Sequence, residues 1–201
     1  MRKLVALAVV LGAAAAPLGA RGGAQEYEPL SASVQTALAR AISDRGVPYL
    51  KFADPKDGYA WLLAMSDRLA QRIPDEKFRV ELLKTVHYEA TRAGLDPQLV
   101  LGVLLVESGF KKYAVSKAGA RGLMQVMPFW VELIGRKDDN LFHLRTNVRY
   151  GCVILRYYLD REKGNLYRAL GRYNGSLGRP DYPNLVLAAW RGTFKYAGPL
   201  V

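Results

Sequence analysis

Half of the 201 residues are hydrophobic, and 29 Lys and Arg stand against 18 Asp and Glu, a formal net charge of +11. This length and apolar content predict one folded domain with room for an extension and exclude a chain disordered throughout. The charge favours a polyanionic partner, whether nucleic acid, anionic lipid or an acidic cell-wall polymer, and the lone cysteine, Cys152, excludes an internal disulfide.

Arg2-Lys3, an apolar run from Leu4 to Ala16, Pro17 and small residues through Ala24 have the three-part layout of a secretory signal peptide. The cut is expected after Ala24, with Ala20 the weaker site and an uncleaved anchor the alternative. Cleavage removes Arg2, Lys3 and Arg21 and brings the charge to +8. The mature chain is then periplasmic or otherwise exported, with no integral membrane span. Export argues against a nucleic-acid partner, and zinc-finger spacing, RNP-like aromatic strands and long basic runs are missing.

Beyond the polar lead at Gln25, SASVQTALARAIS (31–43) has helical spacing, with Ser31 or Ser33 as cap. Two prolines and two glycines between Asp44 and Gly58 predict a loop. A second helix is expected over 59–71, with Tyr59 and Trp61 read as core, and a third over 75–93, closed by Gly94. His87 and His143, without acids at metal-ligand spacing, are read as structural, so no metal or cofactor is expected.

Asp96-Pro97 is a helix start signal, a side-chain acceptor followed by a residue pre-set for the first turn. From Leu99 to Val106 every residue is apolar or glycine, so this helix belongs in the core. Glu107 is the first acid to emerge, in the last turn before the stop at Gly109. Burial and the negative end of the helix dipole both disfavour its charged form, which suits a general acid working near neutral pH. A glutamate so placed is more often simply solvated, so the position alone does not decide its role.

A glycine-rich loop, 111–122, then leads through Gly122-Leu123-Met124-Gln125 to a short helix, 128–134. Met124 and Gln125 combine a soft apolar side chain with an amide, a mixture suited to sugar, although Met124 alone reads as core. Asn147 is expected to cap a helix over 148–163 and Asn165 one over 166–172, which delivers Tyr173-Asn174-Gly175. An amphipathic segment, 184–191, completes about eight short helices. Without β-alternation of useful length, the fold class is all-α.

Glu107-Ser108-Gly109-Phe110, Gly122-Leu123-Met124-Gln125-Val126-Met127-Pro128 and Tyr173-Asn174-Gly175, in this order and spacing, resemble the motifs of the soluble lytic transglycosylase domain, family 1. The resemblance covers about residues 85–191 and implies a goose-lysozyme-like helical fold. It divides the chain into a signal peptide (1–24), an N-terminal helical extension (25–84) and a catalytic domain (85–201). The implied partner is the peptidoglycan glycan strand, cut between N-acetylmuramic acid and N-acetylglucosamine to leave a 1,6-anhydro end.

The same resemblance makes Glu107 the acid and then the base, with Tyr173 orienting it. It assigns Ser108, Ser116, Gly122, Met124, Gln125 and Asn174 to the sugar groove, and it leaves Glu132, Asp138 and Asp139 on the surface. Arg172 and Gly175-Ser176 depart from the family's small residue before the tyrosine and Ala-Gly after the asparagine. A hydrolytic muramidase and a non-catalytic wall-binding scaffold are the rival readings. The extension could brace the domain, close one end of the groove or dock a cell-wall or secretion-complex protein.

Overall fold

The computed structural model describes residues 24–44 and 46–198. The expected signal peptide therefore lies, except for Ala24, outside the described residues. Among the described residues eight α-helices, α1 (Ala32–Ile42), α2 (Pro55–Leu69), α3 (Glu76–Arg92), α4 (Pro97–Ser108), α5 (Phe129–Ile134), α6 (Leu144–Arg161), α7 (Leu166–Asn174) and α8 (Asp181–Ala188), make an all-α fold. A π-helical turn, Ala189–Thr193, prolongs α8. Extended pairing among the described residues is limited to two isolated bridges, Val115 with Arg121 and Arg121 with Val126.

The local chemistry of the helix ends accounts for most of the boundaries. Ser31, Asp75, Asp96 and Asn165 each accept a backbone N–H of the following first turn, satisfying donors that a helix start leaves free. Two boundaries differ from the expectation. α2 begins at Pro55 because Asp54 accepts from the Lys56 N–H at 2.9 Å, so Asp54-Pro55 is a start signal and not loop punctuation. α6 begins at Leu144 with His143 in the cap position, which leaves Asn147 inside the helix.

α4 lies at the centre. Its residues from Pro97 to Leu104 are all buried, as an all-apolar helix requires. The core around it is one hydrophobic cluster that includes Leu38 and Ile42 of α1, Trp61, Met65 and Leu69 of α2, and Leu155 of α6. The expected division at residue 84 falls inside α3, so the extension and the domain share a helix and a core. Trp61 is fully buried whereas Tyr59 is exposed, which corrects its reading as core.

A buried charge cluster fixes α1 to this core. Glu89 of α3 is fully buried and pairs with Arg149 (2.8 Å), Arg92 (3.0 Å) and Arg145 (3.3 Å). Arg149 also donates to the Ile42 carbonyl at the end of α1, at 3.1 Å. Three guanidinium groups around one carboxylate satisfy the pairing that buried charge demands.

Candidate active site

α4 carries Glu107 in its last turn and stops at Gly109, whose φ of 57° is the left-handed conformation that favours glycine. Phe110 follows at φ 67°, an unusual conformation for a bulky residue. Packing explains its persistence, because the Phe110 ring is buried edge-on to Phe194, with centroids 6.1 Å apart.

Only part of Glu107 meets solvent. Burial pushes its carboxyl up to about 8 from the ordinary 4.5, against the opposing pull of hydrogen bonds from Tyr182 and Asn174. The Tyr182 hydroxyl donates to Glu107 Oε1 at 2.7 Å. No second carboxylate is among the groups that perturb it. Glu132 and Asp138 are exposed, and Asp139 is engaged elsewhere, accepting from the Tyr150 hydroxyl at 2.6 Å.

The tyrosine expected to orient Glu107 does something else. Tyr173 is fully buried and its hydroxyl donates to the Met124 carbonyl at 2.8 Å. It ties the end of α7 to the 122–127 bend, and α8 supplies the partner of Glu107. Asn174, next along α7, does sit against the carboxyl.

Several expected groove residues also turn inward. Ser108 donates to the Leu104 carbonyl of its own helix at 3.2 Å. Ser116 closes its loop by accepting from the Ala120 N–H at 3.1 Å. Gln125, at φ 50°, spends its side-chain donors on the carbonyls of Gly122 (2.8 Å) and Ala114 (3.2 Å). Met124 is fully buried and packs so tightly on α6 that a Cβ at Gly151 would come 2.3 Å from its sulfur. These side chains shape the wall through the backbone they hold; Met124 is a core residue, and the Gln125 side chain is spent within the loop.

Asn147 explains how the wall is fixed. Its side chain accepts from the Met124 N–H at 2.7 Å and donates to the carbonyls of Arg121 and Leu141, each at 2.8 Å. Gly122 is required here, since a Cβ would lie 2.4 Å from Asn147 Nδ2 and 2.5 Å from the Leu141 carbonyl. Sequence reasoning missed both Asn147 and Tyr182. A lone amide within the apolar stripe of α6 was the available signal for Asn147, whereas nothing local marks Tyr182.

His87 is buried with neither ring nitrogen hydrogen-bonded, stacked on Phe52 at 4.7 Å, and burial lowers it to about 4. It is a neutral core residue. Among the described residues no three His, Cys, Asp or Glu are grouped to hold a metal ion. The site is thus defined by one protonated carboxyl, a tyrosine donor and a backbone wall, the equipment of an acid catalyst on a helical scaffold.

Residues 84–182 match the family described as Transglycosylase SLT domain, and that part of the chain belongs to it. A transglycosylase of Enterobacteria phage PRD1 is 32% identical over 125 residues, which cover 59% of this chain and 46% of the phage protein. Membrane-bound lytic murein transglycosylase C of Actinobacillus pleuropneumoniae serotype 5b is 52% identical over 48 residues, 24% of this chain and 13% of that one. The chain spans less than half the length of either relative. An inactive mutant of lytic transglycosylase Slt from Pseudomonas aeruginosa aligns with a TM-score of 0.43 at 25% identity, covering 55% of this chain and 20% of that one.

Proposed function

We propose that the protein is an exported peptidoglycan lytic transglycosylase that cleaves the bond between N-acetylmuramic acid and N-acetylglucosamine without water. The observation that carries this reading is Glu107, a single carboxyl held protonated to about pH 8 with no second carboxylate acting on it. The Glu107 carboxyl delivers its proton to the leaving glycosidic oxygen as positive charge develops on the muramyl anomeric carbon. The carboxylate so formed accepts a hydrogen bond from the Tyr182 hydroxyl and then takes the proton from the C6 hydroxyl of the same sugar. That oxygen bonds to the anomeric carbon, giving the 1,6-anhydro end and returning Glu107 to its protonated state.

Most glycosidases that use water or a protein nucleophile work with two carboxylates. Here the nucleophile belongs to the substrate, so its effective concentration is high and a second acid has no task. Asn174 and the backbone from Gly122 to Met127 would hold the sugars, and the basic surface would concentrate the protein on the carboxylates of the wall. Residues 25–84 are proposed as a helical extension fused to this domain through the shared α3.

Mass spectrometry of muropeptides from purified peptidoglycan tests the reading. Anhydro ends are the expected product. Reducing ends heavier by one water would make the enzyme a hydrolytic muramidase, and binding without cleavage would make it a scaffold.

A further inference from the structure

The segment Ala24 to Glu28 does not hang free. Gln25 is only 3% exposed. Its side-chain amide donates to the Gln125 carbonyl at 3.1 Å and accepts from the Met127 N–H at 2.9 Å. The Ala24 carbonyl lies against Gly175, where a Cβ would approach it to 2.0 Å. Tyr27 packs edge-on to Phe129 with centroids 5.7 Å apart, and Glu28 forms ion pairs with Arg161 and Arg172. The segment therefore crosses from the 125–127 bend to the end of α7. One of its contacts, Gly175, directly follows Asn174, whose side chain hydrogen-bonds the Glu107 carboxyl.

The atoms that Gln25 occupies are the free edge of the bend. The Val126 N–H and carbonyl are already paired with Arg121, so the Gln125 carbonyl and the Met127 N–H are the pair left facing outward. A carboxamide and an acetamido group carry the same N–H donor and carbonyl acceptor. An N-acetylated sugar and the Gln25 side chain thus compete for one backbone edge.

We propose that residues 25–28 are a displaceable strap that closes the glycan groove through Gln25, an autoinhibitory contact that rests on the glycan-cleaving reading above. Substrate displaces the strap, and Glu28 with Arg161 and Arg172 returns it. Arg172, at the position where the family keeps a small residue, has its use here as the strap's anchor. A cut after Ala24 would leave Gln25 on the mature chain. A strap closed about nine-tenths of the time weakens the apparent affinity for glycan roughly tenfold.

Calorimetric titration of the full chain with the β-1,4 tetramer of N-acetylglucosamine, alongside Gln25→Ala and Glu28→Gln, tests this. Each variant is expected to bind the tetramer about five- to tenfold more tightly than wild type, in line with the closed fraction, and to show a KM on peptidoglycan lowered by a similar factor. Unchanged or weaker binding by folded variants would make the segment a structural wall and overturn the strap. So would loss of folding in both variants, which would identify it as a brace. If wild type neither binds the tetramer nor cleaves peptidoglycan, the glycan reading itself fails and the strap with it.

Discussion

Replacing Glu107 by Gln probes the energetic cost of holding a carboxyl neutral. In the folded chain the proton is held to about pH 8, and the ordinary carboxyl releases it near 4.5. Between those values the native state binds more protons than the unfolded state, so stability falls as pH rises, by about 1.4 kcal/mol per pH unit. This is the reverse of the usual salt-bridged acid. The full window amounts to a ceiling of about 5 kcal/mol, reached only above pH 8. Glutamine keeps the shape and can still accept from Tyr182, but it does not titrate. The stability of Glu107→Gln relative to wild type should therefore grow by roughly 2–3 kcal/mol between pH 5.5 and 7.5. Other titrations, including that of His87, are common to both chains and cancel. Urea unfolding of the two proteins at both pH values measures the difference. A constant difference across that range would refute the claim that Glu107 is protonated at neutral pH.

Removing the Tyr182 hydroxyl with Phe should raise the Glu107 carboxyl further, because that hydrogen bond favours the charged form. The descending limb of the pH profile of kcat/KM should then move above 8, and a limb that stays in place or moves down would show that Tyr182 does not act on Glu107. Asn147→Ala strips two hydrogen bonds from the 121–124 turn and one from the Leu141 carbonyl and should cost roughly 3 kcal/mol in urea unfolding; a loss within about 0.5 kcal/mol would mean the turn holds itself. Glu89→Gln leaves three arginines around a neutral group and is expected to destabilise by about 3–5 kcal/mol. Retention of the wild-type denaturation midpoint would show the cluster to be dispensable.

The all-α class, the burial of α4 and the place of Glu107 in the last turn before Gly109 were legible from residue order, because they depend on local rules. Apolar periodicity selects the helix, Asp96-Pro97 starts it and a left-handed glycine ends it. The same rules applied to Asp54-Pro55 would have placed the start of α2, where glycine and proline were read as breakers instead of as a cap. Asn147 shows the limit of such rules. As a residue type it reads as a cap, yet it lies inside α6, and its three partners come from the 121–124 turn and Leu141 only once these pack on that helix.

Which groups face Glu107 was decided by tertiary structure alone. Tyr173 and Tyr182 are both tyrosines on late helices, and nothing in their neighbourhoods says that one bonds the Met124 carbonyl and the other the carboxyl. The packing of α8 against α4 and of α7 against α8 sets those distances. The inward turn of Gln125 and the arrival of Gln25 from a hundred residues away are likewise properties of the assembled fold. The sequence determined that one acid would stand at the end of a buried helix. The fold determined which donor holds it, which backbone edge lies open beside it, and which segment of the same chain covers that edge, because hydrogen bonds between distant residues exist only once the helices have packed.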